Sequence, residues 1–299
     1  MRTTKRLSRS STRPPFWFAI PALTVYAFVV IYPSLSGAVY AFTDWSGLGE
    51  DLQFVGLDNF RSIFSDGQSL DALSNAILLT VMIVVVQNGV GLLLALGVNA
   101  RLKARNVLRT IFFAPAVVSP VVVAFLWKYL FDPRQDQGIN AILGMIGLDF
   151  LQQDWLGDPD IALWAIGMTI VWQLAGYSMV IFLAGLQGIP KGLYEAAALD
   201  GAGPFWRFRS VTIPMLAPAI TIVVMLSTIG GLKLFDQVFA MTNGGPGYAT
   251  EMPSTLIYKE AFVYGNYGYS TAVALVLTLL VGTIALVQLR WLRSKETEG

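Results

Sequence analysis

The 299-residue chain has no cysteine and no histidine, and only 13% of its residues are charged. Without cysteine there can be no disulfide, no thiol nucleophile and no Cys-bound metal. Without histidine the commonest general base and metal ligand is missing. The charge content is about half of the roughly 25% usual in a soluble domain, too little to cover a water-soluble fold of this size. These shortages exclude a soluble enzyme, a nucleic-acid binder and a disordered chain.

What is abundant is apolar: 55% of the residues. Charge-free stretches run over Pro14–Thr43, Leu73–Ala100, Thr110–Trp127, Ile161–Pro190, Ser210–Leu232 and Tyr267–Leu289. A helix needs about 20 apolar residues to cross a bilayer core. Thr110–Trp127 is slightly short, but Val107 and Leu108 extend it across Arg109. The pattern predicts an all-α integral membrane protein with six transmembrane helices, at about 16–42, 74–99, 107–130, 161–187, 212–233 and 268–290. Five basic residues precede the first helix, and the apolar run then continues past Tyr40. A signal peptide has an apolar region of only about 7–15 residues, so an uncleaved anchor is expected. Residues 1–15 are then a basic cytoplasmic tail, 16–292 the transmembrane domain and 293–299 a second cytoplasmic tail.

Six crossings put both termini on one side. That side collects 15 of the 20 Lys and Arg residues, while 15 of the 19 Asp and Glu residues fall on the other. The excess of basic residues matches the positive-inside rule, which predicts a cytoplasmic-membrane protein with both termini cytoplasmic. Pro115 and Pro120 are expected to kink or break the third helix. Such breaks are either ordinary kinks or part of a substrate path.

The inside loop 189–218 reads IPKGLYEAAALDGAGPFWRFRSVTIPMLAP. It predicts a helix over Gly192–Leu199, a turn at Asp200-Gly201-Ala202-Gly203 and a second helix over Pro204–Val211, with Pro204 suited to the first turn. Ala196 and Ala197 permit close backbone approach. Glu195 offers a charge-assisted contact, and Phe205, Trp206 and Phe208 offer apolar anchors. The alternative is a re-entrant or interfacial amphipathic helix with no protein partner.

Glu195-Ala196-Ala197, Asp200-Gly201-Ala202, Phe208, Ile213-Pro214 and Leu216-x-Pro218 together resemble the EAA motif of binding-protein-dependent ABC transporter permeases. Gly56-Leu57-Asp58-Asn59-Phe60, Gly185-Leu186-Gln187-Gly188-Ile189-Pro190, Phe235-Asp236 and Thr242-Asn243-Gly244-Gly245-Pro246 are similar to stretches of the maltose and glycerol-phosphate type. The last of these favours an F-like subunit over its G-like partner. The resemblance covers about residues 16–292 and implies the type I importer permease fold, called MetI-like.

It also implies a division of labour. This chain would form half of a sugar pathway, with a second, G-like permease as the other half. Two ATPase subunits would dock on the EAA loops, and an extracytoplasmic solute-binding protein would deliver the sugar. Membrane lipid is the surrounding partner, and nucleic acid has no role. ATP and magnesium would be bound by the ATPases, since this sequence has no G-x-x-x-x-G-K-[ST] run to cradle phosphate. The resemblance assigns ATPase coupling to Glu195, Ala196, Ala197, Asp200, Gly201 and Ala202. Substrate-path candidates are the polar and aromatic residues within spans: Gln87 and Asn88 in the second, Trp172, Gln173 and Tyr177 in the fourth, and Ser227 in the fifth. A bridging role between helices is the alternative for each. A stand-alone secondary transporter would call for carboxylates or histidine within spans, and none lies well inside one. Within the family, glycerol phosphate or another polar solute is the other substrate class.

Overall fold

The computed structural model describes residues 16–48, 52–100 and 103–296. The predicted tail at 1–15 and the end of the second tail, 297–299, lie outside the described residues. Among the described residues the chain is helical throughout, with no strand and one isolated bridge between Thr43 and Phe54.

Among the described residues four continuous helices are long and apolar enough to cross a membrane: Trp17–Tyr40, Gly67–Asn99, Pro159–Gly188 and Tyr267–Ser294, with 24, 33, 30 and 28 residues. At 1.5 Å per residue even the shortest is about 36 Å long, against a hydrocarbon core of roughly 30 Å. Two further pairs are bent: Arg105–Val117 with Pro120–Leu130 at 97°, and Pro204–Met215 with Ala217–Leu232 at 67°. Each pair counts as one span, making six, because its two ends pack into different clusters. Leu108 and Val211 pack with Leu186 and Ile189. Phe131 and Leu232 pack with Trp155, Val238 and Met252.

The third span therefore departs from the single helix expected at 107–130. Val118 and Ser119 are extended, at ψ 140° and 134°. Pro120 explains the break: its ring disfavours helical backbone at Ser119, and the same proline suits the first position of the next helix. In the fifth span, the short helix expected at 204–211 runs on to Met215, so no boundary falls at 212. The chain bends instead at Leu216, where Pro218 cannot donate to the carbonyl of Pro214. The second span starts before the expected residue 74, because Asp66 accepts hydrogen bonds from the amides of Gln68 and Ser69 and so caps the helix.

Two ends result. The loop end carries residues 189–203. The cap end gathers segments 41–48, 52–66, 131–158 and 233–266 around three polar anchors: the half-buried Asn59 and the buried Asn140 and Glu251. The Asn59 amide donates to the carbonyls of Ala41 (2.9 Å) and Thr43 (2.8 Å), tying the end of the first helix to the following segment. Asn140 donates to Gln153 O and accepts from Trp155 Nε1, each at 2.9 Å. Glu251, fully buried, forms an ion pair with Lys259 and accepts from Thr255 Oγ1 at 2.7 Å. At the cap surface the Arg134 side chain hydrogen-bonds Asp132 and holds its carboxyl at about 2, so the pair stays charged at all physiological pH.

Candidate functional site

Two features have the chemistry of a working site. The first is a cavity of about 390 Å³ among the second, third, fourth and fifth spans. Its polar lining comes from Gln87, Tyr177, Ser178 and Ser227, and among the described residues no charged side chain lines it. The wide helical turn Ile83–Gln87 runs directly into Asn88 and brings both amides into the interior. Wide turns of this kind recur at functional sites. The two glycines of the fifth span divide the work. A Cβ at Gly231 would meet Thr80, so this residue permits the close crossing with the second span. A Cβ at Gly230 would meet nothing and would project into the cavity.

A hydrogen-bonded chain forms one wall. Gln87 Nε2 donates to Ser178 Oγ, Ser178 Oγ donates to Asn88 Oδ1, and Asn88 Nδ2 donates to Ser227 Oγ, each at 2.9 Å. Ser227 Oγ in turn donates a hydrogen bond to Val223 O at 2.8 Å. Every link joins two spans or closes on the helix, as buried polar groups require. Gln87 Oε1 is buried and accepts nothing among the described residues. It is an unused acceptor on a cavity-lining side chain.

The six substrate-path candidates thus separate. Gln87, Tyr177 and Ser227 line the cavity. Asn88 is a bridge behind it. Gln173 is buried elsewhere, donating to Val118 O at 3.0 Å and accepting from Gln237 Nε2 at 3.0 Å. Trp172 packs edge-on against Trp127, ring centroids 5.5 Å apart, and is absent from the lining.

The second feature is the exposed loop. The helix Lys191–Leu199 ends in a Schellman turn. Ala202 N donates to Ala197 O (2.9 Å), Gly201 N donates to Ala198 O (3.1 Å), and Gly201 sits at φ +80°. Only glycine adopts that backbone without a Cβ clash. The hydroxyls of Tyr194 and Thr212, 3.0 Å apart, tie the helix to the entry of the fifth span. The rest of its surface is open. Leu199 is 90% exposed, Phe205 70% and Trp206 61%, and Glu195, Ala196 and Asp200 are exposed beside them, with Ala197 half-buried. Neither Glu195 nor Asp200 takes part in an ion pair among the described residues.

Sequence reasoning missed the ion pair of Glu251 with Lys259 and the role of the Thr-Asn-Gly-Gly-Pro stretch around it. Gly244, at φ +83°, lies against the Glu251 carboxylate so closely that a Cβ there would collide with Oε2. The Thr242 and Thr250 hydroxyls meet at 2.7 Å, and Thr250 Oγ1 donates to Gly245 O at 2.6 Å. The stretch wraps a buried carboxylate. The glycines were the only signal, and they do not reveal what they wrap. Among the described residues no group of acidic, His or Cys side chains could hold a metal.

Comparison with known proteins agrees with this architecture. Residues 87–297 match the model of the binding-protein-dependent transport system inner membrane component family. The multiple sugar-binding transport system permease protein of Streptococcus mutans is 35% identical, covering 91% of this chain and 93% of the relative. The trehalose/maltose transport system permease protein of Thermococcus litoralis is 33% identical over 96% of both chains. The lactose transport system permease protein of Rhizobium radiobacter is 34% identical over 91% of both. In solved structures, a chain of a bacterial ABC transporter involved in import of the acidic polysaccharide alginate superposes with a TM-score of 0.81 at 23% identity, covering 93% of this chain and 94% of that one. The chain belongs to the family of binding-protein-dependent transport system inner membrane components, the permease subunits of ABC importers.

Proposed function

We propose that this chain is one of two permease subunits lining the pathway of an ATP-driven sugar importer, and that it is worked through the loop 189–218. One observation carries the coupling. The helix Lys191–Leu199 is rigidly terminated by its Schellman turn and tied to the fifth span, yet its Leu199, and Phe205 and Trp206 at the start of the following helix, face open space. Apolar side chains this exposed mark an interaction surface. Glu195 supplies the charged contact and Ala196 and Ala197 the close-packing face. Asp200, Gly201 and Ala202 fix the turn. Movement of a docked ATPase would pass as a rigid-body tilt into the fourth and fifth spans.

The sugar reading rests on the cavity and on the relatives, several of which are named for sugar transport. Gln87, Tyr177 and Ser227 offer donors, acceptors and one aromatic face, with no fixed charge. That chemistry suits a neutral polyol better than glycerol phosphate, which calls for a cation, or an ion-coupled carrier, which calls for a carboxylate. The remaining parts are a G-like permease, two ATPases holding ATP and magnesium, and a solute-binding protein outside. One solved relative is recorded in complex with a periplasmic protein carrying an oligosaccharide. The charge asymmetry of the loops supports a cytoplasmic-membrane protein with the loop end and both termini inside. The test is ATPase activity of the reconstituted complex against a panel of sugars with the cognate binding protein. Stimulation by one sugar class supports the reading, and stimulation without any binding protein contradicts it.

A further inference from the structure

The 97° bend of the third span ends at a carbonyl with an unusual partner. In a continuous helix Val118 O would accept from the amide four residues on. Pro120 ends the helix before that is possible, and the carbonyl is left over. Gln173, from the middle of the fourth span, donates Nε2 to it at 3.0 Å. Gln173 Oε1 in turn accepts Nε2 of Gln237 at 3.0 Å. Gln237 lies in the short helix Asp236–Met241 of the cap, which packs on Pro120–Leu130. Gln173 is 1% exposed and Gln237 4%. The chain Gln237–Gln173–Val118 therefore links the cap, the fourth span and the bend in one buried line.

We propose that Gln173 is the latch of this bend: a positioning residue that sets the angle between the two halves of the third span and ties it to the position of the cap. Three features argue for a latch over a bridge between two fixed helices. The acceptor is an extended residue at a break, where backbone rotation at Val118 and Ser119 suffices to re-aim half a span. Both halves of the one amide are used, so neither bond can be given up without unpairing a buried group. And the far partner sits in the cap, whose segments 233–266 would be the first to feel a binding protein arriving from that side. A change in cap position then alters the bend through a single side chain. This rests on the importer reading for its consequence, though the latch itself is a statement about the bend.

The absence of native cysteine allows a direct test. Cysteines introduced at Ile111 and Phe125, both exposed and on opposite sides of the break, can be spin-labelled in the full chain assembled with its partner subunits in nanodiscs. Gln173→Met is nearly isosteric and removes both bonds; Gln237→Met removes only the outer one. A latch predicts that Gln173→Met broadens or shifts the distance distribution across the break. It also predicts basal ATPase raised about two- to tenfold relative to the stimulated rate, the population change that one net hydrogen bond supports. Gln237→Met should give a smaller change in the same direction, and the double variant no more than Gln173→Met alone. If Gln173→Met assembles poorly, Gln237→Met decides. An unchanged distance distribution in an assembled Gln237→Met complex, with an unchanged ratio of stimulated to basal rate, overturns the proposal. A wild-type complex that the binding protein fails to stimulate contradicts the importer reading, while the distance measurement still decides the latch.

Discussion

Asn88 Nδ2 and Ser227 Oγ lie 2.9 Å apart and join the second span to the fifth behind the cavity wall. The neighbouring Gln87 instead lines the cavity and keeps a buried oxygen unused. Two adjacent amides thus sit differently, one bridging two spans and one facing the cavity.

The difference can be measured. Asn88→Ala leaves Ser178 without its acceptor, and interhelical bonds of this kind contribute about 0.6–2 kcal/mol in membrane proteins. It should lower the melting temperature of the solubilised protein while the apparent KM for sugar changes little. Gln87→Leu should raise that KM several-fold with a smaller effect on melting. The reverse pattern would assign the roles the other way.

At Gly230 the fifth span offers open space to the cavity. Gly230→Leu should fill part of the 390 Å³ and abolish or strongly reduce sugar uptake with normal membrane insertion. Gly231→Leu, which would strike Thr80, should instead prevent stable folding. Uptake assays and membrane protein levels separate the two.

The buried pair at the cap makes a prediction about stability. Glu251→Gln leaves Lys259 without its counter-charge, a loss of about 3–5 kcal/mol for buried pairs. Gly244→Ala should also destabilise, since it drives a Cβ into the same carboxylate at φ +83°. The double variant Glu251→Gln with Lys259→Met should recover much of the loss. Thermal unfolding of the detergent-solubilised protein reads all three, and additivity in the double variant would refute the pairing.

The Schellman turn makes the fourth. Gly201→Val puts a β-branched residue at φ +80°, where a left-handed backbone costs roughly 1–2 kcal/mol. The helix Lys191–Leu199 should be mis-set and transport uncoupled, with insertion intact. Gly201→Asn, which tolerates that backbone better, should retain more activity. Uptake and ATPase rates of the two variants decide it.

The spans, their number and the loop turn were legible because they rest on local signals: uncharged length, proline at helix starts and glycine at a left-handed position. Pro115 and Pro120 announced trouble in the third span, but only the structure shows that Leu108 and Phe131, on either side of the break, join separate core clusters. The substrate candidates were less legible. A buried Gln or Asn looks the same in sequence whether it faces a solute or a neighbouring carbonyl. Gln173 and Tyr177, four residues apart, part company because Val118 O is within reach of one and the cavity of the other. The Glu251–Lys259 pair had no sequence signal beyond the neighbouring glycines, because its meaning depends on Gly244 closing over it.

Glu195 tests most directly whether the exposed loop transmits ATP-driven motion to the cavity. The measurement is sugar uptake per ATP hydrolysed in proteoliposomes holding the complete complex, wild type against Glu195→Lys. The charge reversal should leave the subunits inserted but drop uptake per ATP by at least tenfold. Wild-type uptake per ATP in the Glu195→Lys complex would contradict it.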